Sequence, residues 1–183
     1  MDARFDEKVM EAVNFSVTRV QTMGSISVTF GKEKPEAIEN KIIIILQNLA
    51  SLKDHLKNCL KKNGLNPNLV ETEINNSQHL QILIDLVNQE KHGYPLTKTN
   101  RSGKNPLIKD AHQVLIISTG KAPGSSASVS FDSEGSVEIQ GDNHIAIVAD
   151  VVDDHGTFLL SLDELIETSY SKFKAIATTY HCF

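Results

Sequence analysis

Apolar residues recur every three or four positions in the middle of the chain, which is the spacing of one face of a helix. The clearest run follows Pro35 and contains these apolar positions: Ile38, Ile42, Ile45, Leu46, Leu49, Leu52, Leu56, Cys59 and Leu60. Proline suits the first turn of a helix, and Asn63 with Gly64 is a good C-terminal stop. We therefore expect a long helix that begins at Pro35 and ends just before Asn63.

A second helical pattern starts only a few residues later. Asn66 can cap this helix with Pro67 at its first position, and the apolar run continues to Val87 before Gly93 and Pro95 end it. The second half of the run is apolar nearly all round, which is typical of a central, buried helix. Two long helices joined by so short a loop should pack antiparallel.

The pattern then changes to short β-rich runs separated by Gly, Pro and Asp. The runs are His112 to Thr119, Ala127 to Phe131, Ser136 to Gln140 and His144 to Val152. They predict an antiparallel meander. Apolar residues alternate with polar ones at Ile26, Val28 and Phe30, which predicts an earlier strand that can join the meander.

Two further helices complete the prediction. Ser161 followed by Glu164 is a capping box, and the apolar pattern after it predicts a final helix that ends near Tyr180. Residues Ala3 to Val13 have the pattern of a short amphipathic helix. The predicted fold class is α+β, with an antiparallel helical bundle and an inserted antiparallel β meander. We expect one domain over residues 1–183, with a helical core at about 35–95 and 161–181 and a β elaboration at about 111–160, to which a strand at 25–30 can add.

Composition narrows the function classes. Hydrophobic residues make up 40% of the chain and charged residues 22%, which is ordinary for a globular protein. No purely apolar run is longer than that from Ile42 to Leu46, which is far shorter than the roughly 20 residues that span a bilayer, so we expect no membrane association. Acidic residues stand near the N-terminus where a secretory signal would be basic, which favours a cytoplasmic protein. Cys59 and Cys182 form no metal-binding or disulfide pattern, so we expect both to be reduced thiols.

The formal net charge of -5 disfavours an overall footprint for nucleic acid, and we expect no DNA partner. A local basic stretch stands out between Glu90 and Asp110, where no acidic residue intervenes. Lys98, Arg101 and Lys104 are its candidate RNA contacts, although a solvated loop explains the same run of charge.

An acidic segment near residue 153 has two interpretations. Asp150, Asp153, Asp154 and His155 are residue types that bind metals, but their spacing matches no strong ligand signature. Asp and Gly also favour turns, and a turn is needed before Phe158. We favour the turn and expect neither a metal nor another cofactor.

One polar face interrupts the second long helix. Asp85, Asn88, Lys91 and His92 recur at three- and four-residue steps among strongly apolar neighbours. A carboxylate in such a helix is costly unless it is hydrogen-bonded or paired, so Asp85 needs a partner. Either it satisfies a backbone group of a neighbouring element, or the face lines a polar cleft. In such a cleft His92 would transfer protons and Lys91 would stabilise an anionic oxygen.

The helix that ends Asp85-x-x-Asn88-x-x-Lys91-His92 and the long helix before it resemble the HEPN superfamily of four-helix bundles. The resemblance covers residues 35 to 100 and the final helix. Many members are metal-independent ribonucleases of toxin-antitoxin, CRISPR and phage-defence systems, with a motif of Arg, four to six residues and then His. They commonly form dimers in which two motifs face one cleft. The resemblance implies that His92 is the motif histidine and Asn88 the polar residue within the motif.

The sequence departs from that motif at its arginine. The positions where arginine is expected hold Asp85, Leu86 and Val87, and Arg101 follows His92 instead of preceding it. The favoured hypothesis is therefore a non-catalytic interaction or oligomerisation module, acting as a homodimer with a protein or RNA partner. The alternative is a metal-independent endoribonuclease with His92 as general acid or base, Lys91 as phosphate contact, and Asp85 and Asn88 as orienting residues.

Overall fold

The computed structural model describes residues 26–29, 35–96, 100–118, 128–131, 137–140 and 142–182. These residues form helices and antiparallel strands, so the α+β class is confirmed. The predicted helix from Ala3 to Val13 lies outside the described residues.

Four helices lie in the described part of the chain: α1 (Pro35–Lys62), α2 (Asn68–Asn75), α3 (Gln78–His92) and α4 (Leu162–Thr179). The predicted end of α1 is confirmed. Leu65 N–H donates to Leu60 C=O at 2.8 Å and Gly64 N–H donates to Lys61 C=O at 3.2 Å, which together form a Schellman motif. Gly64 has φ 72°, and glycine adopts this left-handed conformation at no steric cost.

The predicted second long helix is wrong in one respect, because the structure divides it into α2 and α3. The break falls at Asn76 and Ser77. Asn and Ser side chains compete for backbone hydrogen bonds, and the hydroxyl of Ser77 accepts the N–H of Leu80 as an N-cap. The predicted cap at Asn66 is present, since its side-chain oxygen accepts the N–H of Asn68 at 3.0 Å.

Six strands lie in the described residues: β1 (Ile26–Thr29), β2 (Leu107–Ser118), β3 (Ser128–Phe131), β4 (Val137–Gln140), β5 (Asp142–Val152) and β6 (Phe158–Ser161). A four-stranded antiparallel sheet has the order β1-β2-β5-β6, and β3 pairs with β4 in a separate two-stranded sheet. The predicted early strand therefore exists and joins the larger sheet as its edge.

The predicted meander is wrong, because consecutive strands do not all pair. β2 pairs with β5 from Leu107↔Val152 to Ser118↔Asp142, and the β3–β4 hairpin lies between them in sequence without entering the sheet. The first predicted β-rich run starts at His112, but β2 begins earlier, at Leu107. The long β2–β5 pairing joins residues far apart in the chain, and local alternation cannot specify such a partner.

The helices and the larger sheet share one apolar core. It joins Leu46 of α1, Leu83 of α3, Val151 of β5 and Phe173 of α4, each at most 1% exposed. The sheet is therefore part of the same core as the helices and not an elaboration outside it. In the described residues no helix is both long and apolar enough to cross a bilayer.

The expectation that both cysteines are reduced is wrong for this structure. Cys59 in the last turns of α1 and Cys182 after α4 form a disulfide, with their Cα atoms 5.8 Å apart. They are 123 residues apart in sequence, so no local spacing pattern could reveal the pair. The bond attaches the C-terminal end of α4 to the end of α1, where Asn63 Nδ2 also donates to Tyr180 C=O at 3.4 Å.

Candidate functional site

Asp85 lies in the middle of α3 and is fully buried, at 0% exposure. Its neighbours Ile84, Leu86 and Val87 are also buried, as their apolar pattern predicts. Burial of a carboxylate among such residues costs free energy unless its oxygens accept hydrogen bonds. The sequence therefore requires a partner for Asp85 and leaves its identity open.

The partner is the loop that follows α3. Oδ1 of Asp85 accepts the backbone N–H of Arg101 at 2.8 Å, and Oδ2 accepts the backbone N–H of Ser102 at 2.7 Å. Oδ2 also accepts the hydroxyl of Ser102 at 2.7 Å. Hydrogen bonds to an ionised acceptor are roughly twice as strong as neutral ones, so three of them hold this loop firmly. The interpretation in which Asp85 satisfies backbone groups of a neighbouring element is confirmed.

The same loop is held at its far end by the turn between β5 and β6. The N–H of Asp154 donates to Lys104 C=O at 3.4 Å, and Asn105 Nδ2 donates to Asp154 Oδ2 at 3.3 Å. Ser102 Oγ accepts the N–H of Lys104 at 3.2 Å, which closes the loop on itself. The loop thus bridges the middle of α3 to the sheet, and we call residues 100–105 the bridging loop.

The side chain of Arg101 adds an ionic contact between the bridging loop and the helices. Its Nη1 lies 2.7 Å from Oε2 of Glu71 on α2, while Lys57 of α1 pairs with the other oxygen of Glu71. Burial raises the pKa of Glu71, but the hydrogen bonds and charges of Lys57 and Arg101 outweigh this effect and lower the pKa from 4.5 to about 2. Glu71 is therefore ionised at neutral pH and links three segments.

Lys91 and His92 occupy a different environment from Asp85. Both are exposed in the last turn of α3, and Asn88 is half-buried. His92 is seven residues after Asp85, which places it about 10 Å further along the helix axis. Across the described residues no hydrogen bond joins Lys91 or His92 to Asp85. The four residues share a helix face in sequence, but the structure does not bring them together as one cluster.

The candidate RNA contacts are also separated. Lys98 lies outside the described residues. The guanidinium of Arg101 pairs with Glu71, which offsets its charge, whereas Lys104 is exposed. The basic stretch therefore supplies fewer unpaired cations than its sequence suggests.

The acidic segment forms the predicted turn. Oδ1 of Asp153 accepts the N–H of His155 at 2.9 Å and the N–H of Thr157 at 2.8 Å. The hydrogen bond from Thr157 is the largest cause of the lowered pKa of Asp153. Among the residues that the structure describes, no three His, Cys, Asp or Glu side chains are grouped so as to hold a metal.

Comparisons with known proteins add no relative. No family model matches the chain, and neither the curated proteins nor the solved structures contain a significant match.

Sequence reasoning missed the groups that complete the site. It singled out Arg101 as an RNA contact and did not consider Ser102 or Glu71. One signal was present, because Asp85 needed hydrogen-bond donors and Ser102-Gly103 lies in the loop just beyond α3. Serine and the backbone amides of a Gly-containing turn are suitable donors to a carboxylate.

Proposed function

We propose that this chain is a non-catalytic interaction module that works as a homodimer, with a HEPN-like helical bundle at its centre. The observation that carries the proposal is the set of hydrogen bonds that the buried side chain of Asp85 accepts. It is fully buried, and both of its carboxylate oxygens accept hydrogen bonds from Arg101 and Ser102. A carboxylate occupied in this way holds a loop and does not orient a histidine two helical turns away.

The arginine of the bridging loop supports the same conclusion. In a ribonuclease of this kind a cation next to the catalytic histidine would stabilise the charged phosphate. Arg101 instead pairs with Glu71, whose other oxygen is held by Lys57. The charge of Arg101 thus contributes to the attachment of the bridging loop.

The contact surface that we propose is the exposed end of α3. Lys91, His92 and Tyr94 lie there, and Tyr94 is 47% exposed. Tyrosine is enriched at interfaces because it offers apolar area and a hydroxyl at low conformational cost. Asp85 anchors the bridging loop at the middle of the same helix, about 10 Å from this end.

A metal-independent ribonuclease remains the second candidate, and one observation favours it. His92 and Lys91 are neighbouring and exposed, so both can reach a phosphate backbone. Histidine can serve as general acid and base near neutral pH, and lysine can contact an anionic oxygen. In this ribonuclease hypothesis, Asp85 has no direct catalytic role.

The dimer is tested by light scattering after gel filtration of the whole chain. Wild-type protein should have the mass of a dimer, and Tyr94→Ser combined with Lys91→Glu should give a monomer. Phe158→Ser is the matched control, because Phe158 is an exposed aromatic residue at 58% exposure on β6. A monomeric wild-type protein, or equal effects of the two changes, would contradict the proposed surface.

Catalysis is tested separately with RNA in the presence of EDTA. We expect no cleavage by wild-type protein. His92→Ala and His155→Ala form a matched pair, because the side chain of His155 is 86% exposed and lies in the turn between β5 and β6, outside α3. Cleavage that is lost in His92→Ala and kept in His155→Ala would overturn the non-catalytic proposal and establish the second candidate. Retention of RNA without cleavage would identify RNA as the partner.

The proposed setting is the cytoplasm of a bacterium, in a defence or toxin-antitoxin system. Thiols are kept reduced in most cytoplasmic proteins, so the Cys59–Cys182 pair would form there only under oxidation. Alkylation of thiols in intact cells, followed by mass measurement, tests this part. If neither cysteine were alkylated in unstressed cells, the protein would lie in an oxidising compartment and the cytoplasmic setting would be contradicted.

A further inference from the structure

A small cavity lies where α2 meets α3, against the C-terminal half of α4. Its volume is about 190 Å³. We call it the junction cavity. A volume of this size holds about six water molecules, which is too small for a drug-sized ligand and suits a small metabolite. It is separate from Asp85 and from the exposed end of α3.

The floor of the junction cavity is apolar. Leu80 of α3 and Ile176 of α4 line it and are 0% and 5% exposed. Ala175, which is exposed, adds a small apolar side chain to the lining. A short aliphatic group would bury apolar surface here without displacing any side chain.

The rim carries opposite charges on facing elements. Glu73 belongs to α2 and Lys172 to α4, and both line the cavity. They do not pair with each other, and in the described part of the chain neither forms an ion pair with another residue. A ligand that bears both a positive and a negative group can therefore complement both charges at once.

The backbone at the α2–α3 junction has the same polarity as the rim. α2 ends at Asn75, so its C-terminal carbonyls favour a cation, and α3 starts at Gln78, so its N-terminal amides favour an anion. Ser77 lies between them, lines the cavity and is 6% exposed. Its hydroxyl oxygen accepts the N–H of Leu80, while its hydroxyl hydrogen has no acceptor among the described residues. That hydrogen is available to an anionic ligand group.

The wall at the end of α4 is held in place. Cys182 N–H donates to Ala177 C=O at 2.8 Å and His181 N–H donates to Thr178 C=O at 3.3 Å, which forms a Schellman motif around Tyr180. The disulfide of Cys182 attaches the same segment to α1. Because this segment is already fixed, the protein loses little conformational entropy when the cavity binds a ligand.

We propose that the junction cavity binds a small zwitterion, namely an α-amino acid with a short aliphatic side chain. Its carboxylate would lie between Lys172 and the hydroxyl of Ser77 at the start of α3. Its ammonium group would face Glu73 at the end of α2. Its side chain would rest on Leu80 and Ile176. No covalent step is involved, and the proposal does not depend on the function proposed above.

The test uses the whole chain, labelled with ¹⁵N, and titration with glycine, L-alanine, L-valine and L-leucine. At least one of them should shift the amide signals of residues 77–80 and 176–180 in a saturable way, with L-valine or L-leucine binding more tightly than glycine. Isovalerate and isobutylamine, which each retain one charged group of valine, should bind about tenfold more weakly than valine or worse. Absence of a saturable shift with all four amino acids would overturn the proposal, as would equal binding of isovalerate and valine.

Two variants tie the binding to the rim charges. Lys172→Gln and Glu73→Gln should each weaken amino-acid binding by about tenfold. Lys174→Gln and Glu167→Gln are the matched controls, because both residues are exposed on α4 and do not line the cavity. All four changed side chains are exposed, so the fold should be kept, and a circular dichroism spectrum checks this. Unchanged binding in Lys172→Gln and Glu73→Gln would show that the cavity is not the binding site.

Discussion

Replacement of Asp85 by alanine should destabilise the protein more than any other single change in the bridging loop or its contacts. The change removes the acceptor of three hydrogen bonds, from Arg101 N–H, Ser102 N–H and Ser102 Oγ–H. It also removes a carboxylate that is 0% exposed, which leaves a small void among apolar residues. Two of the donors left behind belong to Ser102, which is only half-buried, so water can reach part of the site.

The magnitude follows from opposing effects. Three hydrogen bonds to a charged group contribute about 1.5–3 kcal/mol each. Relief from burying the carboxylate offsets several kcal/mol of that sum. We therefore expect Asp85→Ala to lower the free energy of unfolding by about 3–4 kcal/mol, close to the loss of one partner of a buried charged pair. Asp85→Asn keeps the shape and one acceptor oxygen, so it should cost about 2–3 kcal/mol.

Two further variants bracket this value. Ser102→Ala removes one of the three hydrogen bonds and should cost about 1–2 kcal/mol. Glu90→Gln is the matched control, because Glu90 is an exposed acid on the same helix, and it should change stability by less than about 0.5 kcal/mol.

The assay is urea unfolding followed by far-ultraviolet circular dichroism, together with hydrogen exchange of the amides of Arg101 and Ser102. Both amides should be protected in wild-type protein and exchange rapidly in Asp85→Ala. The reasoning would be refuted by a loss below about 1 kcal/mol in Asp85→Ala, because so small a loss approaches the effect of up to about 0.5 kcal/mol that is expected at an exposed carboxylate. Rapid exchange of both amides in wild-type protein would refute it independently.

Three other predictions address the links between helices. The pKa of Glu71 is lowered from 4.5 to about 2, so its contribution is present above pH 4.5 and lost as the pH falls towards 2. The stability advantage of wild-type protein over Glu71→Gln in urea unfolding should therefore shrink across that pH range, and a constant difference would count against it. In Gly64→Ala the alanine must adopt φ 72°, while its added Cβ has no contact within 4 Å. The free energy of unfolding in urea should therefore fall by about 1 kcal/mol, because of the backbone conformation alone. Reduction of the Cys59–Cys182 disulfide, which closes a separation of 123 residues, should lower unfolding stability by about 4 kcal/mol, whereas a double serine variant should not respond to the reductant.

The helices could be predicted from the sequence because their signals are local. The three- and four-residue spacing from Ile38 to Leu60 and the stop at Gly64 place α1 as observed. The cap at Ser161 places the start of α4, since its hydroxyl accepts the N–H of Glu164 at 3.4 Å. The break between α2 and α3 was missed because the apolar spacing continues across Ser77 and hides its role as a cap.

The sequence also indicated that Asp85 is structurally important, but it did not identify the residues that bind its carboxylate. The position of Asp85 in an apolar helix required hydrogen-bond donors, and the sequence contains many candidates. Arg101 and Ser102 are 16 and 17 residues further along the chain, so no helical spacing relates them to Asp85. The same holds for the β2–β5 pairing, which skips the β3–β4 hairpin.

By itself, therefore, the sequence determined α1 and α4, the helical segment that contains α2 and α3, most of the strand segments, the turn at Asp153 and the need to satisfy Asp85. Each of these depends on residues within a few positions of one another. Only the tertiary structure decided that the bridging loop satisfies Asp85, that Arg101 pairs with Glu71 and that Cys59 meets Cys182. These contacts form because the shared core brings distant segments together, and a single sequence carries no local periodicity that records such distances.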